Sequence, residues 1–329
     1  MKALVQSAWA RCLAPALAML CAMLAPLSAS GSAFPDRRVT IVVAYPAGGS
    51  SDIFARAIAN KLTQTWGQPV VVDNRGGGGT IVGTQYVAQA APDGYTLLVT
   101  AYAYTSNPLL KDSLPYDPAA LVPLALIGTS PSMLVINAGL PTQSLGDLIA
   151  MARAKPGALV LGSSGNGSSP HIAAELFANE IGIDITHVPY KGMGPAMNDL
   201  LGGQVMGIFD IPTSMVNVRN GRLRAIGIAA PERHPAAPEV PTFRELGVDL
   251  VSGTWYGFFV PAGTPASVQS ILHEGIEAAL ADPDVRRTID RTGLVIQPRS
   301  QDAFRQFLVD ESAKLKRLID ARGMKISID

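Results

Sequence analysis

The chain has 329 residues, with 26 basic and 26 acidic side chains and 48% hydrophobic residues. This balanced charge gives no electrostatic footprint for nucleic acid, so we exclude that class of partner. The length is sufficient for two domains of ordinary size.

The first 33 residues have the pattern of a secretory signal peptide. Lys2 and Arg11 precede an apolar stretch over residues 12–27, and small residues follow up to Phe34. A membrane anchor is the alternative interpretation, but the stretch is shorter than the roughly 20 residues of a spanning helix and is interrupted by proline. We therefore predict export, with cleavage of residues 1–33, although Ser28 and Ser30 would also permit a cut before Gly31.

Both cysteines, Cys12 and Cys21, lie in this segment. The exported chain would therefore contain no disulfide, no thiolate metal site and no cysteine nucleophile. The histidines lack the local spacing of a metal site, so we expect neither a metal nor another cofactor.

Strand-like and helix-like segments alternate along the rest of the chain. "RVTIVVAY" predicts a buried parallel strand, and "SSDIFARAIANKL" predicts a helix capped by Ser50 or Ser51. Further strands are predicted at "QPVVVDN", "YTLLVTA", "VPLALIG", "SMLVINA", "ALVLGSS", "ITHVPY", "QVMGIFDI", "RLRAIGIAA" and "TWYGFFVPA", with helices at "GTQYVAQAA", "LGDLIAMARAK", "SPHIAAELFANEI", "PAMNDLLGG" and two long amphipathic stretches near the end. This alternation predicts an α/β protein with mostly parallel sheets.

Two glycine- and serine-rich loops follow predicted strands and precede predicted helices: loop 1, "PAGGSSD" (residues 46–52), and loop 2, within "GSSGNGS" (residues 163–168). A helix that follows a strand presents free backbone N–H groups and a positive dipole end to a ligand. Neither loop contains Lys or Arg, so backbone N–H groups would bind a carboxylate without a cation. The alternative is that both are ordinary connectors. The richer "RGGGGT" lacks the spacing of a dinucleotide motif, and we interpret it as a structural turn.

Aromatic and acidic residues at strand ends are further candidates. We expect Tyr45 and Tyr102 to form walls of a ligand cleft. Asp210 follows a predicted strand and either contacts a ligand amine or hydroxyl group or caps the next turn. For Tyr104, Tyr190 and Trp255, the sequence is compatible with a place in the cleft wall or in the core.

Several longer segments resemble one protein family in the same order: "AYPAGGSSDIFAR", "GQPVVVDNRGGGGT", "APDGYTLL", "GSSGNGSSPHIAAELF", "HVPYKGMGPAMNDLLGGQV", "PEVPTFRELG" and "TWYGFFVPAGTP". Together they resemble the tripartite tricarboxylate transporter substrate-receptor family, also called Bug proteins. Ala44, Asp73 and Gly76 depart from the common pattern, but none of them removes a proposed anion donor.

The resemblance implies a type II periplasmic binding protein fold, in which crossing hinge strands join two α/β lobes. Lobe 1 would comprise residues 34–131 plus 256–329, and lobe 2 residues 132–255. The resemblance also implies that the two loops hold a ligand carboxylate through backbone N–H groups and ordered water. The protein would deliver this ligand to a membrane permease of a large and a small subunit, and a sensor protein is a possible second partner.

We therefore predict a periplasmic, non-enzymatic receptor for a small organic carboxylate: a dicarboxylate, tricarboxylate, amino acid or aromatic acid. The alternative is an exported α/β hydrolase that uses Ser168 or Ser51, but no nucleophile elbow surrounds Ser168 and a structural role is favoured for His171. The predicted ligand-binding residues are Tyr45, Ala47, Gly48, Gly49, Ser50, Ser51, Tyr102, Ser163, Ser164, Gly165, Asn166, Gly167, Ser168 and Asp210.

Overall fold

The computed structural model describes residues 34–322, so the predicted signal peptide lies outside the described residues. Within that range, β-strands and α-helices alternate along the chain, as predicted. The strands are β1 (Val39–Val43), β2 (Val70–Asn74), β3 (Thr96–Ala101), β4 (Leu121–Pro131), β5 (Met133–Asn137), β6 (Leu159–Ser163), β7 (Ile185–Pro189), β8 (Gly207–Asp210), β9 (Leu223–Ile228) and β10 (Gly253–Pro261).

Ten α-helices occur in the described range, with short 3₁₀ helices at Pro118–Ala120 and Pro212–Ser214. None of the helices described is both long and apolar enough to cross a lipid bilayer. The α-helices are α1 (Ser50–Trp66), α2 (Ile81–Ala88), α3 (Ala103–Leu110), α4 (Leu145–Ala154), α5 (Ser169–Ile181), α6 (Met193–Leu201), α7 (Met215–Arg219), α8 (Ala266–Ala281), α9 (Pro283–Asp290) and α10 (Gln301–Arg322).

The strands form two five-stranded sheets, with the order β2-β1-β3-β10-β4 in sheet A and β7-β6-β8-β5-β9 in sheet B. In sheet A, β10 runs antiparallel to both of its neighbours, whereas β1 pairs in parallel with β2 and β3. In sheet B, β5 is the antiparallel strand and β6 pairs in parallel with β7 and β8. All the other strands of each sheet therefore point in one direction, and the predicted α/β fold class is confirmed.

The chain crosses between the sheets at two places that lie side by side. Ser132 alone separates β4 from β5, and residues 229–252 lead from β9 back to β10. Backbone hydrogen bonds join the crossings: Ser132 N donates to Ser252 O (2.9 Å), Ser252 N to Ala229 O (3.0 Å) and Ala229 N to Ser132 O (2.7 Å). This arrangement is that of two α/β lobes joined by crossing strands. The residue boundaries of the lobes stay a prediction.

Buried aliphatic and aromatic side chains hold the helices against sheet A. Phe304 of α10 is fully buried, and its ring lies 6.0 Å from the ring of Trp255 and 5.6 Å from that of Phe259. Burying such a side chain stabilises the fold by about 1.5–3 kcal/mol. The C-terminal helix is therefore part of the core of sheet A, although it lies far along the chain from β1–β3.

A close backbone contact positions the end of β1, where loop 1 begins. Gly83 of α2 lies so near that a Cβ atom on it would be 2.7 Å from the carbonyl oxygen of Arg75 and 2.8 Å from the Cα atom of Ala44. Only glycine allows the helix to pack at this distance. This contact fixes the chain immediately before Tyr45.

We predict that Gly83→Ala lowers the free energy of unfolding by about 1–3 kcal/mol, because the added methyl group pushes α2 away from the backbone of Ala44. Urea unfolding of the purified protein measures this change. Gly146→Ala is a matched control within a helix, since the nearest atom to its Cβ would lie 3.6 Å away. Equal stability of the two variants would contradict the packing argument.

Candidate functional site

A cavity lies where loop 1, loop 2, the end of β8 and the start of β10 meet. It encloses about 640 Å³ of space free of protein atoms, its open mouth included. Its lining residues are Tyr45, Pro46, Ala47, Gly49, Ser50, Ser51, Ala101, Ser132, Ser164, Ser168, Ser169, Pro170, Gly192, Met193, Gly194, Phe209, Asp210, Ile211, Thr254 and Tyr256. The lining comes from both sheets and from one of the crossings, so the two predicted loops do share a cavity.

A network of side chains fixes the conformation of loop 1. Asp52 accepts a hydrogen bond from Gly48 N–H (3.0 Å) and forms an ion pair with Arg56 (2.9 Å). Arg56 also donates to Asn74 Oδ1 (2.9 Å), and Asn74 Nδ2 donates to the carbonyl oxygen of Tyr45 (3.1 Å). The charge of Arg56 is therefore paired with Asp52. Loop 1 is held in place by groups that sequence reasoning did not assign to the site.

Helix α1 begins at Ser50, and its N-cap is Gly49 with extended backbone angles and no side-chain cap. The predicted cap by Ser50 or Ser51 was therefore wrong. The Ser50 hydroxyl is instead a hydrogen-bond partner of the Tyr256 side chain. Asp52 binds the Gly48 N–H group in the same turn.

Three backbone N–H groups at the start of α1 are available to a ligand. Those of Gly49, Ser50 and Ser51 have no acceptor among the residues that the structure describes, and all three residues line the cavity. The first N–H groups of a helix have no partner within the helix, and they attract anions. Loop 1 therefore presents three free donors of the predicted kind, whereas the predicted donor Gly48 N–H is bound to Asp52.

Loop 2 differs, because acceptors within the loop and on the helix that follows it bind three of the predicted donors. The N–H groups of Gly165, Gly167 and Ser168 donate to Ser163 Oγ (3.1 Å), His171 Nδ1 (3.1 Å) and Gly165 O (3.2 Å). The expectation that these three N–H groups bind a ligand is therefore not met in this structure. Those of Ser164 and Ser169 have no acceptor in residues 34–322, and both residues line the cavity.

Two histidines hold loop 2 in this shape. The ring of His187 stacks on that of His171 with 3.8 Å between centroids and 8° between planes. His187 Nε2 lies 2.7 Å from Ser163 Oγ. Burial and the neighbouring His171 lower the pKa of His187 to about 3, so the ring is neutral near pH 7. His171 lies on α5 and His187 on β7, so their stacking depends on how this helix packs against this strand and is not visible in the local sequence.

Loop 2 also contacts α3, which follows a strand of sheet A. Ser106 of α3 donates its hydroxyl hydrogen to the carbonyl oxygen of Gly167 at 2.5 Å, and Ser106 is fully buried. The neighbouring Asn107 donates to Gly79 O at 2.9 Å. Hydrogen bonding therefore connects the second loop to an element of the other sheet.

The predicted residues do not all reach the cavity. Tyr102 is buried in the core, where its carbonyl oxygen accepts hydrogen bonds from the backbone and side chain of Thr105. Ser163 and Gly167 belong to loop 2 but do not line the main cavity. Gly165 and Asn166 line a neighbouring cavity with Tyr190, and Gly48 lines another cavity beside α6. The predicted residues that line the main cavity are Tyr45, Ala47, Gly49, Ser50, Ser51, Ser164, Ser168 and Asp210.

The cavity contains Tyr256 rather than its neighbour Trp255. Adjacent residues of a strand point to opposite faces of the sheet, so a shift by one position exchanges a core residue for a cavity residue. Trp255 is buried among aromatic rings, whereas Tyr256 lines the cavity and its ring packs edge-on to Phe54 at 5.0 Å. Tyr104 is also packed in the core and bonds to Pro118 O.

Asp210 is the only charged side chain among the residues that line the main cavity. It is 8% exposed, and it accepts hydrogen bonds from the Ser214 hydroxyl and from Ile211 N–H. Burial raises the pKa of Asp210 to about 6, because these two neutral donors only partly compensate for lost water. Across the described part of the chain, no three His, Cys, Asp or Glu residues form a group able to hold a metal ion.

The fold and this cavity are those of a two-lobed periplasmic binding protein. Residues 54–324 match the family model described as the tripartite tricarboxylate transporter family receptor. The chain belongs to this family, as its motifs predicted.

Relatives in this family resemble the chain over most of its length. BugT of Bordetella pertussis (strain Tohama I) is 37% identical over 310 residues, which is 92% of this chain and 94% of BugT. MatC from Rhodopseudomonas palustris with bound malate is 32% identical, with a TM-score of 0.82 over 87% of this chain and 100% of MatC. An R. palustris protein with adipate is 32% identical, with a TM-score of 0.84 over 88% of this chain and 98% of that protein.

We predict that Asp52→Asn lowers the free energy of unfolding at pH 7 by about 1–3 kcal/mol, because a buried charged acceptor is lost. Burial by itself raises the pKa of Asp52, but hydrogen bonds from Arg56, Gly48 and Asn74 outweigh burial and lower it. The stabilisation is therefore present above the ordinary value of 3.8 and is lost as the pH falls through the lowered pKa. Urea unfolding at pH 7 and pH 2 measures both effects. If Asp52→Asn lowered the free energy of unfolding as much at pH 2 as at pH 7, that result would contradict this account.

We also predict a pH dependence of stability due to His187. Between pH 6.5 and about 3, the unfolded chain binds a proton at this position that the folded chain does not bind. Stability therefore falls as the pH is lowered through this range, and His187→Gln removes that contribution. Unfolding measured from pH 7 to pH 4 should show a steeper loss for the natural protein than for the variant. Parallel curves would refute the assignment.

Proposed function

We propose that the protein captures a small organic carboxylate in the main cavity and delivers it to a membrane permease. The observation that carries this proposal is the set of unbonded N–H groups of Gly49, Ser50 and Ser51, which line a cavity without Lys or Arg. The N–H groups of Ser164 and Ser169 support it from the second loop. We assign the ligand contacts to these donors, with Tyr45 and Asp210 shaping the cavity.

The magnitudes are sufficient for a receptor. A hydrogen bond to a charged group contributes about 1.5–3 kcal/mol, and a helix N-terminus adds about 0.3–2 kcal/mol. The five free N–H groups of the two loops, set against several kcal/mol of association cost, reach a Kd on the order of micromolar. The two related structures that carry malate and adipate contain carboxylates of the proposed size class.

We propose that the ligand enters and leaves by hinge motion at the crossings. Ser132 separates β4 from β5, and its backbone bonds to Ala229 and Ser252 of the returning segment. Changes in a few dihedral angles at such crossings can rotate one sheet with its helices relative to the other. The proposed bodies are residues 34–131 plus 256–329 and residues 132–255.

Export to the periplasm with removal of residues 1–33 is part of the proposal and rests on the sequence pattern of that segment. The permease of a large and a small subunit is proposed from membership of the receptor family. A sensor protein is a possible second partner. Mass spectrometry of the N-terminus of protein recovered from the periplasm tests the cleavage site.

We further propose that the protein is not an enzyme. Ser168 Oγ donates to Gly165 O at 2.6 Å, and His171 Nδ1 accepts from Gly167 N–H, so these two side chains do not form a nucleophile and base pair. Ser163 does contact His187, but it is fully buried and does not line the cavity. A screen with ester substrates tests this: saturable hydrolysis that disappears in Ser163→Ala or Ser168→Ala would overturn the receptor function.

The role of the backbone donors is tested at Ser50, the first residue of α1. Proline is tolerated at this helix position, and Gly49 already has the extended backbone that precedes proline, so Ser50→Pro removes the N–H group and the hydroxyl without breaking the helix. Ser50→Ala removes the hydroxyl but keeps the N–H group, so it is the matched control. We expect Ser50→Pro to bind the carboxylate at least about tenfold more weakly than Ser50→Ala.

Isothermal titration calorimetry measures both variants, with the acid that copurifies with the protein or with malate, adipate and aspartate as probes. Thermal unfolding without ligand shows whether the two variants are equally folded. Equal affinities of two equally stable variants would contradict the assignment of this N–H group to the ligand.

A further inference from the structure

Asp210 lies where two cavities meet. It lines the main cavity and also a neighbouring cavity beside α6 and α7. Its carboxylate is more than nine-tenths buried, and its hydrogen-bond donors are Ser214 and Ile211 N–H, both neutral. A buried carboxylate in this position therefore has no charged partner among the residues that the structure describes around it.

Apart from Asp210, the residues that line the two cavities are all neutral. β10 contributes Tyr256, and burial followed by the charge of Asp210 raises the pKa of that phenol above its ordinary value. The chain after β1 contributes Tyr45, whose pKa is also raised by burial. Helices α6 and α7 contribute Met193, Met197, Asn198, Val216 and Asn217, none of which is ionisable.

A cavity with this charge distribution would bind ligands of different charge with different affinities. The main-chain donors of loop 1 favour one carboxylate, whereas Asp210 repels a second one. Removing a carboxylate from water costs several kcal/mol unless a cation pairs with it. The protein supplies no such cation around the two cavities, so a positively charged group of the ligand would complete the site.

We infer that the natural ligand carries a protonated amine as well as a carboxylate, and that its ammonium group pairs with Asp210. This inference rests on the proposed function, because it assigns the carboxylate to the free N–H groups of loop 1. The ligand class is then a small amino acid rather than a dicarboxylate. An ammonium group has three N–H donors, and the hydroxyl oxygens of Thr254 and Tyr256 in the cavity lining are acceptors for those that Asp210 does not use.

Matched probes test the charge of the ligand. Adipate, 6-aminohexanoate and hexanoate have the same chain length and differ only at one end, which is a carboxylate, an ammonium or a methyl group. Succinate, malate and aspartate likewise differ only in a hydrogen, hydroxyl or ammonium at one carbon. In isothermal titration calorimetry at pH 8, we expect the ammonium-bearing probe to bind at least about tenfold more tightly than its matched dicarboxylate.

Asp210→Asn tests whether Asp210 is the residue that discriminates. The amide keeps the shape and can still accept the Ser214 hydrogen bond, so we expect a folded variant in which the advantage of the ammonium probe is lost and the matched dicarboxylate binds more tightly. Asp249→Asn is the control, because it removes the same charge at a side chain that is 74% exposed and paired with Arg244. That control should bind all the probes as the natural protein does.

The pH dependence provides a second measurement. Lowering the pH through about 6 protonates Asp210, so the ammonium probe should bind more weakly and the dicarboxylate more tightly, and both trends should vanish in Asp210→Asn. A dicarboxylate that binds as tightly as its ammonium match at pH 8, or that is unaffected by Asp210→Asn, overturns the inference but leaves the carboxylate receptor intact. Binding of no probe counts against both the inference and the proposed function.

Discussion

The site depends on backbone N–H groups that the fold leaves without acceptors at the start of α1. Gly49, Ser50 and Ser51 present them to the cavity because β1 ends at one side of sheet A and the helix begins directly after the loop. The nearby cation, Arg56, is paired with Asp52 and stiffens the loop. In the proposed site, an oriented main chain therefore takes the place of a basic side chain as the binder of negative charge.

The two loops are alike in sequence but differ in their hydrogen bonding in the structure. Loop 1 keeps its donors free, whereas loop 2 uses much of its hydrogen-bonding capacity internally, through Ser163 and His171. The hydroxyl groups of Ser163 and Ser168 also donate to Gly165 O. The free donors of the proposed site therefore belong mainly to loop 1, whereas sheet B contributes the carboxylate of Asp210.

Much of the fold follows from local pattern, because β-branched runs and helical periodicity are set by residues that are close in the chain. The pairing of the loops across one cavity could be predicted from their place after strands. Three features could not: that Gly49 caps α1, that Tyr256 and not Tyr102 reaches the cavity, and that His171 stacks on His187. Each depends on packing between distant segments, where a shift of one residue on a strand reverses which side chain is buried.

The hydrogen bond from Ser106 to Gly167 bears on how fast a ligand would enter and leave the cavity. It joins α3 to the second loop, and Gly167 is held on its other side by His171. Any widening of the cleft that separates α3 from this loop has to break a buried hydroxyl contact before solvent can replace it. Under the proposed hinge motion, that rupture would slow the opening of the cleft, so Ser106 would lengthen the residence time of a captured ligand.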